Sequence, residues 1–393
     1  MSALIVTNFA YGTGPYLRTT DLAIAFNGAL EAKGRPRMQF IVPWVYGEKQ
    51  RAVILEEFTG HAARFPDEIV LDAELGALLG GLFYKKEKYR DALERWTRIC
   101  AATEEKMRAH LGGKVHGETL DGRRVELDGR NVAVELNRSP RCSYGIGPSY
   151  SASFGYLSLI LEGAKEASEH IAVPSELLNA GATLARRIEG AQKILAIAYP
   201  STFTDSTAYR SRYADRVREV VTPPLITVRS GEDSGRDVRE DGIYVTITGI
   251  PGLERLYRDA RALGLKIYTN DAAAVAGGAM RAVPHAMASK AILLHFARSG
   301  WSSVWLSMIY EVPLVIPDFD RFDDPEIYFN NRMIERLGMG IVYRGQELSS
   351  ILEEAESMRA RYRKIKKEIE GQWGTLDGNK VAAEMFVSDF VSL

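Results

Sequence analysis

The chain has 393 residues, 46% of them hydrophobic and 26% charged, with a formal net charge of −1. That length exceeds one core of ordinary size and predicts two domains, while the balanced charge argues against bulk nucleic-acid binding. Two cysteines, Cys100 and Cys142, cannot build a stapling framework, and no apolar stretch reaches the roughly 18 residues of a membrane span, so a reduced, cytoplasmic setting is expected.

The first residues, MSALIVTNFAYG, carry no basic region, and their apolar run is too short for a secretory signal. Ala3–Phe9 instead predicts a buried strand. Gly12 and Gly14 follow in an open loop, and Leu22, Ala25, Phe26, Ala29 and Leu30 recur at helical spacing before Gly34 stops the helix. The run MQFIVPW predicts the next strand, which completes a βαβ unit. Residues 70–111 read as helical. Asp121-Gly122 between two short runs predicts a hairpin, and together they look like an insertion over about 70–130.

Val132–Leu136 predicts a return to the parallel sheet. A long loop follows, then helices near 154–170 and 175–192 and the strand KILAIAYP. Pro223-Pro224 and the polar run after them mark a linker, so the first domain is expected over 1–222. A second α/β unit follows over 223–374, with strands at IYVTITG, LKIYTND, AILLHFA and VPLVIP. Leu253, Leu256, Tyr257 and Ala260 give its first helix a buried stripe. A last helix over 375–393 presents Val381, Phe386, Val387 and Phe390.

The stretch 295–343 carries the functional signal. A strand ending near Phe296 delivers the chain to the carboxyl edge of a parallel sheet, where ligands of open α/β sheets bind. Ser299 and Gly300 turn the chain, and Ser302 and Ser303 stand where the next helix begins. The free N–H groups of a helix start attract phosphate, hydroxyls add donors, and Arg298 adds a permanent cation. An ordinary capped helix has the same local sequence.

This stretch resembles the C-terminal half of the GT-B glycosyltransferases, in particular the peptidoglycan N-acetylglucosaminyltransferase and UDP-glycosyltransferase branch. Arg298-Ser299-Gly300 matches that family's R-S-G turn, and Ser303 stands at its helix-start Thr. Pro313, Pro317, Asn330, Gly338 and Gly340 follow in the family's order. The resemblance covers 295–343 well and the rest of the second domain loosely. It implies an α/β chain of two Rossmann-like domains facing across a cleft, with the acceptor in the first and a nucleotide-sugar donor, a UDP-sugar above all, in the second. The helix 375–393 would pack back on the first domain.

On the same resemblance, Gly12 and Gly14 belong to an N-terminal glycine loop. Thr248, Gly249 and Gly252 approach the donor diphosphate with Arg298, Ser299, Gly300, Ser302 and Ser303, and Glu326 and Asn330 face the donor sugar. The family works without a bound divalent ion, so no metal or other cofactor is expected, and the acidic run Asp318–Glu326 reads as sugar contacts or a solvated loop. The retaining families' E-x7-E pattern is absent, which points to inversion.

The chain also departs from the pattern. Leu306 replaces the Glu that holds the ribose, Glu311 replaces a Gly, and Glu326-Ile327 replaces an Asp-Gln pair. The family's N-terminal His is missing. Asp21 is the candidate for its role as general base, with a helix N-cap as its other reading. These departures leave an epimerase or hydrolase of the same fold, or a non-catalytic binding protein, as alternatives.

Arg138 and Arg141 among Tyr144, Tyr150 and Tyr156 suit an anionic or sugar-bearing acceptor, or pack a loop on its own tyrosines. His285 and His295 stand near the expected cleft. The basic run Met358–Glu370 and the apolar run Leu78–Lys86 read as a solvated helix face and core, or as peripheral contact with a membrane that holds a lipid-linked acceptor.

Overall fold

The computed structural model describes residues 3–10, 12–83, 87–205, 217–227, 238–246, 253–270 and 278–392. The first domain begins with β1 (Leu4–Phe9), α1 (Thr13–Ala32) and β2 (Gln39–Pro43), then α2 (Glu48–Glu57) and α3 (Thr59–Arg64). Strand β3 (Ile69–Asp72) leads into α4 (Ala73–Phe83) and α5 (Tyr89–Leu111), followed by the hairpin β4 (Lys114–Thr119) and β5 (Arg124–Asp128). Next come β6 (Val132–Arg138), β7 (Ser149–Ser153), α6 (Leu157–Glu166), α7 (Ser175–Gly190), β8 (Ile194–Ala198) and β9 (Arg218–Thr222).

These nine strands form one sheet in the order β5-β4-β3-β2-β1-β6-β7-β8-β9, parallel except for the edge hairpin. Strand β1 is buried throughout, as a central parallel strand covered by helices on both faces must be.

Two strands stand where the sequence predicts otherwise. Ile69–Asp72 was read as the start of a helix but pairs with β2, because Ile69, Val70 and Leu71 form a fully buried run. Asp72 then accepts from the N–H groups of Glu74 and Leu75, both at 3.0 Å, so strand passes to helix with no connecting loop. Ser149–Ser153 was read as loop. Its serines hide the strand signal, yet all five residues are buried. Ser149 Oγ donates to Gln192 Oε1 at 2.9 Å and Ser153 Oγ to the Gly155 carbonyl at 2.7 Å, which satisfies two of the strand's three hydroxyls inside the core; that of Ser151 has no partner among the described residues.

The second domain has β10 (Gly242–Val245), α8 (Leu253–Ala262), β11 (Lys266–Thr269), β12 (Met280–Arg281) and β13 (Ile292–Phe296). It continues with α9 (Trp301–Tyr310), β14 (Leu314–Pro317), α10 (Pro325–Leu337), β15 (Ile341–Tyr343) and the long α11 (Leu348–Trp373). Its six strands are all parallel, in the order β12-β11-β10-β13-β14-β15.

The last helix, α12 (Gly378–Phe390), lies against the first domain. Phe390 meets Phe26 of α1 at 5.9 Å between ring centroids, and Phe386 stacks on Tyr150 at 5.1 Å. Gly378 donates its N–H to the Pro224 carbonyl at 2.9 Å, and a Cβ there would lie 2.2 Å from the Pro223 carbonyl oxygen, so only glycine permits this approach. No helix among the described residues is long and apolar enough to cross a membrane.

Candidate functional site

In each sheet the strand order reverses beside the first strand of its domain, between β1 and β6 and between β10 and β13. Such reversals open a crevice at the carboxyl ends of the strands. The segments leaving β1, β6 and β13 meet around one cavity of about 560 Å³ between the two domains. Ala10, Gly14, Pro15, Tyr89, Arg138 and Arg141 line it from the first domain, and Arg298, Gly300, Trp301, Ser302, Ser303, Asp324 and Glu326 from the second.

Helix α9 opens on this cavity. Gly300 is its N-cap in extended conformation, with no side chain capping the first turn. Ser302 and Ser303 are half-buried beside it. Ser299 is fully buried, and its hydroxyl has no hydrogen-bond partner among the described residues. A helix of ten residues with uncapped N–H groups and spare hydroxyls is a receptor for phosphate oxygens. Arg298, half-exposed at the rim, forms an ion pair with Asp323.

Helix α1 begins on the facing wall. Gly12 caps it at φ 112°, a conformation that favours glycine, and donates its N–H to Tyr46 Oη at 2.8 Å. A Cβ on Gly14 would come within 3.9 Å of Ser302 Oγ, so the two helix N-termini nearly touch across the cleft. Two tryptophans hold this geometry. Trp301 donates its indole N–H to Thr202 Oγ1 and Trp305 to the Pro200 carbonyl, each at 2.7 Å, and both acceptors belong to the first domain.

The cavity's ionisable groups form a cluster. Asp324 caps α10 by accepting from the Glu326 N–H at 2.9 Å; burial raises its carboxyl above the ordinary range, and Arg141 and this hydrogen bond oppose the shift. Glu326 lies just beyond it in the cleft. Burial, and then the charge of Asp324, raise the Glu326 carboxyl above the usual carboxylate range, while Arg141 opposes the shift. Arg138 is buried and lines the same cavity.

Several expected site residues lie elsewhere. Asp21 is neither an N-cap nor part of the cavity lining, because α1 begins a full two turns earlier. Its Oδ2 accepts from Arg18 at 3.1 Å, from the Thr227 N–H at 3.2 Å and from Asn379 Nδ2 at 2.9 Å, which ties α1 to the linker and to α12. Asn330 is not among the residues lining the cavity, though its Nδ2 donates to Glu326 Oε1 at 3.3 Å. It is fully buried under α9, where its Nδ2 donates to the Ser299 carbonyl at 2.9 Å and its Oδ1 accepts from Trp301 at 3.0 Å and from Thr202. Its position braces the turn that carries Ser299.

His295 is buried between Ser307 and Thr246, and burial depresses its pKa to about 3, so it stays neutral. Tyr144, Tyr150 and Tyr156 are core residues, and Leu306 packs into apolar clusters one turn below Ser302. Thr248, Gly249 and Gly252 lie outside the described residues, as does the side chain of His285. Among the described residues no group of three His, Cys, Asp or Glu is placed to hold a metal ion.

Tyr89 and Trp305 line the cavity without having been singled out in the sequence, and Asp324 does so having been read only as one member of the acidic run Asp318–Glu326. Tyr89 is the first residue of α5, in the middle of the helical section, and carries no motif. Asp324-Pro325 does carry one, an Asp N-cap followed by Pro at the first helical position.

No family model matches the chain, and no curated protein does. Solved structures do match along the whole length. A UDP-glucose:anthocyanidin 3-O-glucosyltransferase in complex with UDP is 9% identical with a TM-score of 0.61, over 100% of both chains. A UDP-glucosyltransferase from Polygonum tinctorium, capable of glucosylating indoxyl, is 13% identical with a TM-score of 0.62, over 99% of this chain and 98% of that one. The calicheamicin glycosyltransferase is 14% identical with a TM-score of 0.57, over 100% and 98%. The two parallel-sheet domains and the cleft between them are thus those of the GT-B fold.

Proposed function

We propose that this chain transfers a sugar from a UDP-sugar to an acceptor held in the first domain's half of the cleft. The observation that carries this reading is the start of α9, where uncapped N–H groups and the Ser302 and Ser303 side chains border the cavity, with the buried, unpartnered Ser299 hydroxyl in the turn just before them. As the sugar leaves, negative charge develops on the diphosphate, and these donors are fixed in place to receive it. A helix start and Arg298 supply the positive charge that a metal would otherwise bring, which makes the reading metal-independent. The solved relative that holds UDP supports UDP as the nucleotide.

The acceptor must lose a proton. With the Asp21 carboxylate engaged in the fold, Glu326 is the cleft carboxyl suited to take it, since a base works best when its pKa lies near the working pH. A single displacement assisted by such a base inverts the sugar carbon. Leu306 leaves the ribose without the usual carboxylate, so nucleotide affinity rests more heavily on the diphosphate.

The test is UDP binding by calorimetry and thermal unfolding. UDP at 100 times its dissociation constant adds about 2.7 kcal/mol of stability, a shift of several degrees in a protein of this size. Gly300→Asp has room for its side chain and a backbone suited to an N-cap. It should fold normally and lose UDP binding at least tenfold, because a carboxylate then occupies the phosphate position. Unchanged UDP affinity in Gly300→Asp, or no UDP binding by the native protein, would overturn the reading.

A further inference from the structure

We propose that the cleft holds a second anion site, centred on Arg138, which takes a phosphate or carboxylate group carried by the acceptor. The inference rests on the reading above in one respect: the donor's diphosphate is assigned to α9.

Arg138 ends β6 beside the crevice of the first sheet. Its residue is 4% exposed, yet it lines the cavity. Its Nη1 donates to the Leu225 carbonyl at 2.9 Å, and its guanidinium carbon lies 5.6 Å from the Trp305 ring. Its Nε and Nη2 make no hydrogen bond among the described residues, and no carboxylate there forms an ion pair with it.

This sets Arg138 apart from the other arginines that the fold shields. Arg18 meets Asp21 and Glu57, Arg37 meets Glu31 and Glu68, and Arg51 meets Glu48 and Glu118. Arg141, the other guanidinium lining the cavity, faces the carboxyls of Asp324 and Glu326. Burial first, and then the charge of Arg18, push the pKa of Arg138 down to about 9 against the weaker opposing pull of Asp21, the direction expected of a cation without a paired counter-ion. A buried charge left unpaired is costly, and an anion arriving through the cavity removes that cost. The open edge of the guanidinium offers two parallel N–H donors, a fork that matches a carboxylate or phosphate. Its place on the first sheet, where the fold keeps the acceptor side, favours the acceptor over the donor.

The experiment uses the full chain with inorganic phosphate as probe, titrated calorimetrically with and without saturating UDP. The native protein should still bind phosphate when UDP fills the α9 site. Arg138→Met should weaken that phosphate binding at least tenfold while changing UDP affinity less than twofold. Arg138→Gln, checked for folding by circular dichroism, serves if the first variant does not fold.

Three results would overturn the site: UDP excluding all phosphate from the native protein, a neutral variant binding phosphate as before, or a neutral variant losing UDP by the same factor as phosphate. The last would place Arg138 on the donor diphosphate. If UDP does not bind the native protein, the donor reading fails. Phosphate binding by the native protein and the Arg138 variants then decides this site by itself.

Discussion

Trp305 of the second domain donates its indole N–H to the carbonyl of Pro200 in the first at 2.7 Å, and both groups are buried. One hydrogen bond thereby fixes how far the start of α9 stands from the strand ends of the other sheet. Trp301 repeats the device one turn earlier on Thr202. The cleft is thus held at its floor by side chains of the helix that opens on it.

Trp305→Phe should keep the ring packing and lose the hydrogen bond, leaving a buried carbonyl unpaired. The expected cost is about 1–3 kcal/mol in urea unfolding. Hydrogen exchange should quicken at α9 before it does in β1 or β6. A uniform rise across both domains would show that the bond stabilises the whole fold instead of the junction.

Glu311 ends α9 in the left-handed region, at φ 57° and ψ 33°, where the resembling family carries glycine. Arg363 and Lys366 of α11 hold its carboxylate at 3.0 and 2.8 Å. Glu311→Ala keeps the strained backbone and loses both ion pairs. Glu311→Gly loses the same pairs but relieves the strain. The glycine variant should therefore be more stable than the alanine variant by about 1 kcal/mol in chemical denaturation, the reverse of their order in a helix interior. Equal stability would mean that the backbone has moved out of this conformation in one of them.

Much of the fold was legible because buried parallel strands announce themselves as short apolar runs: Leu4–Phe9, Ile194–Ala198 and Ile292–Phe296 read directly. Ser149–Ser153 did not, since three serines in five residues hide the apolar signal and the partner of Ser149 is the distant Gln192, which no local pattern reveals. The same limit applies to the site. That Gly300, Ser302 and Ser303 stand at a helix start beside the cavity was legible because a helix start is a local feature. That Asp21 and Asn330 stand off the cavity lining was not legible, because the local sequence says nothing about Asn379 or Thr202, the residues that engage them. Asp324 was passed over as one acid among many, although the proline after it marks a cap.

Asp21 gives the third prediction. Its carboxylate links Arg18, Thr227 and Asn379, so its loss unpicks the contact of α12 with α1 and the linker. Asp21→Asn should lower stability by about 2–4 kcal/mol, moderated by the second partner of Arg18, Glu57 at 3.1 Å. Limited proteolysis should then release the C-terminal helix first. UDP affinity should stay within twofold. A loss of UDP binding at native stability would return Asp21 to the site.

The last prediction concerns pH. The Glu326 carboxyl is raised above its ordinary range, first by burial and then by Asp324, with Arg141 pulling it back. A base acts only when deprotonated, so kcat/KM for transfer should climb as pH rises through that raised value. Asp324→Asn keeps the helix cap but removes the repelling charge, so the rising limb should move to lower pH by about one unit. Arg141→Met should move it the other way. Stability should run opposite to activity: a carboxyl with a raised folded-state pKa contributes fully below the ordinary glutamate pKa, and that contribution fades as pH climbs through the raised one. A rising limb that stays fixed in both variants would assign the proton transfer to another group, even with the cleft cluster intact.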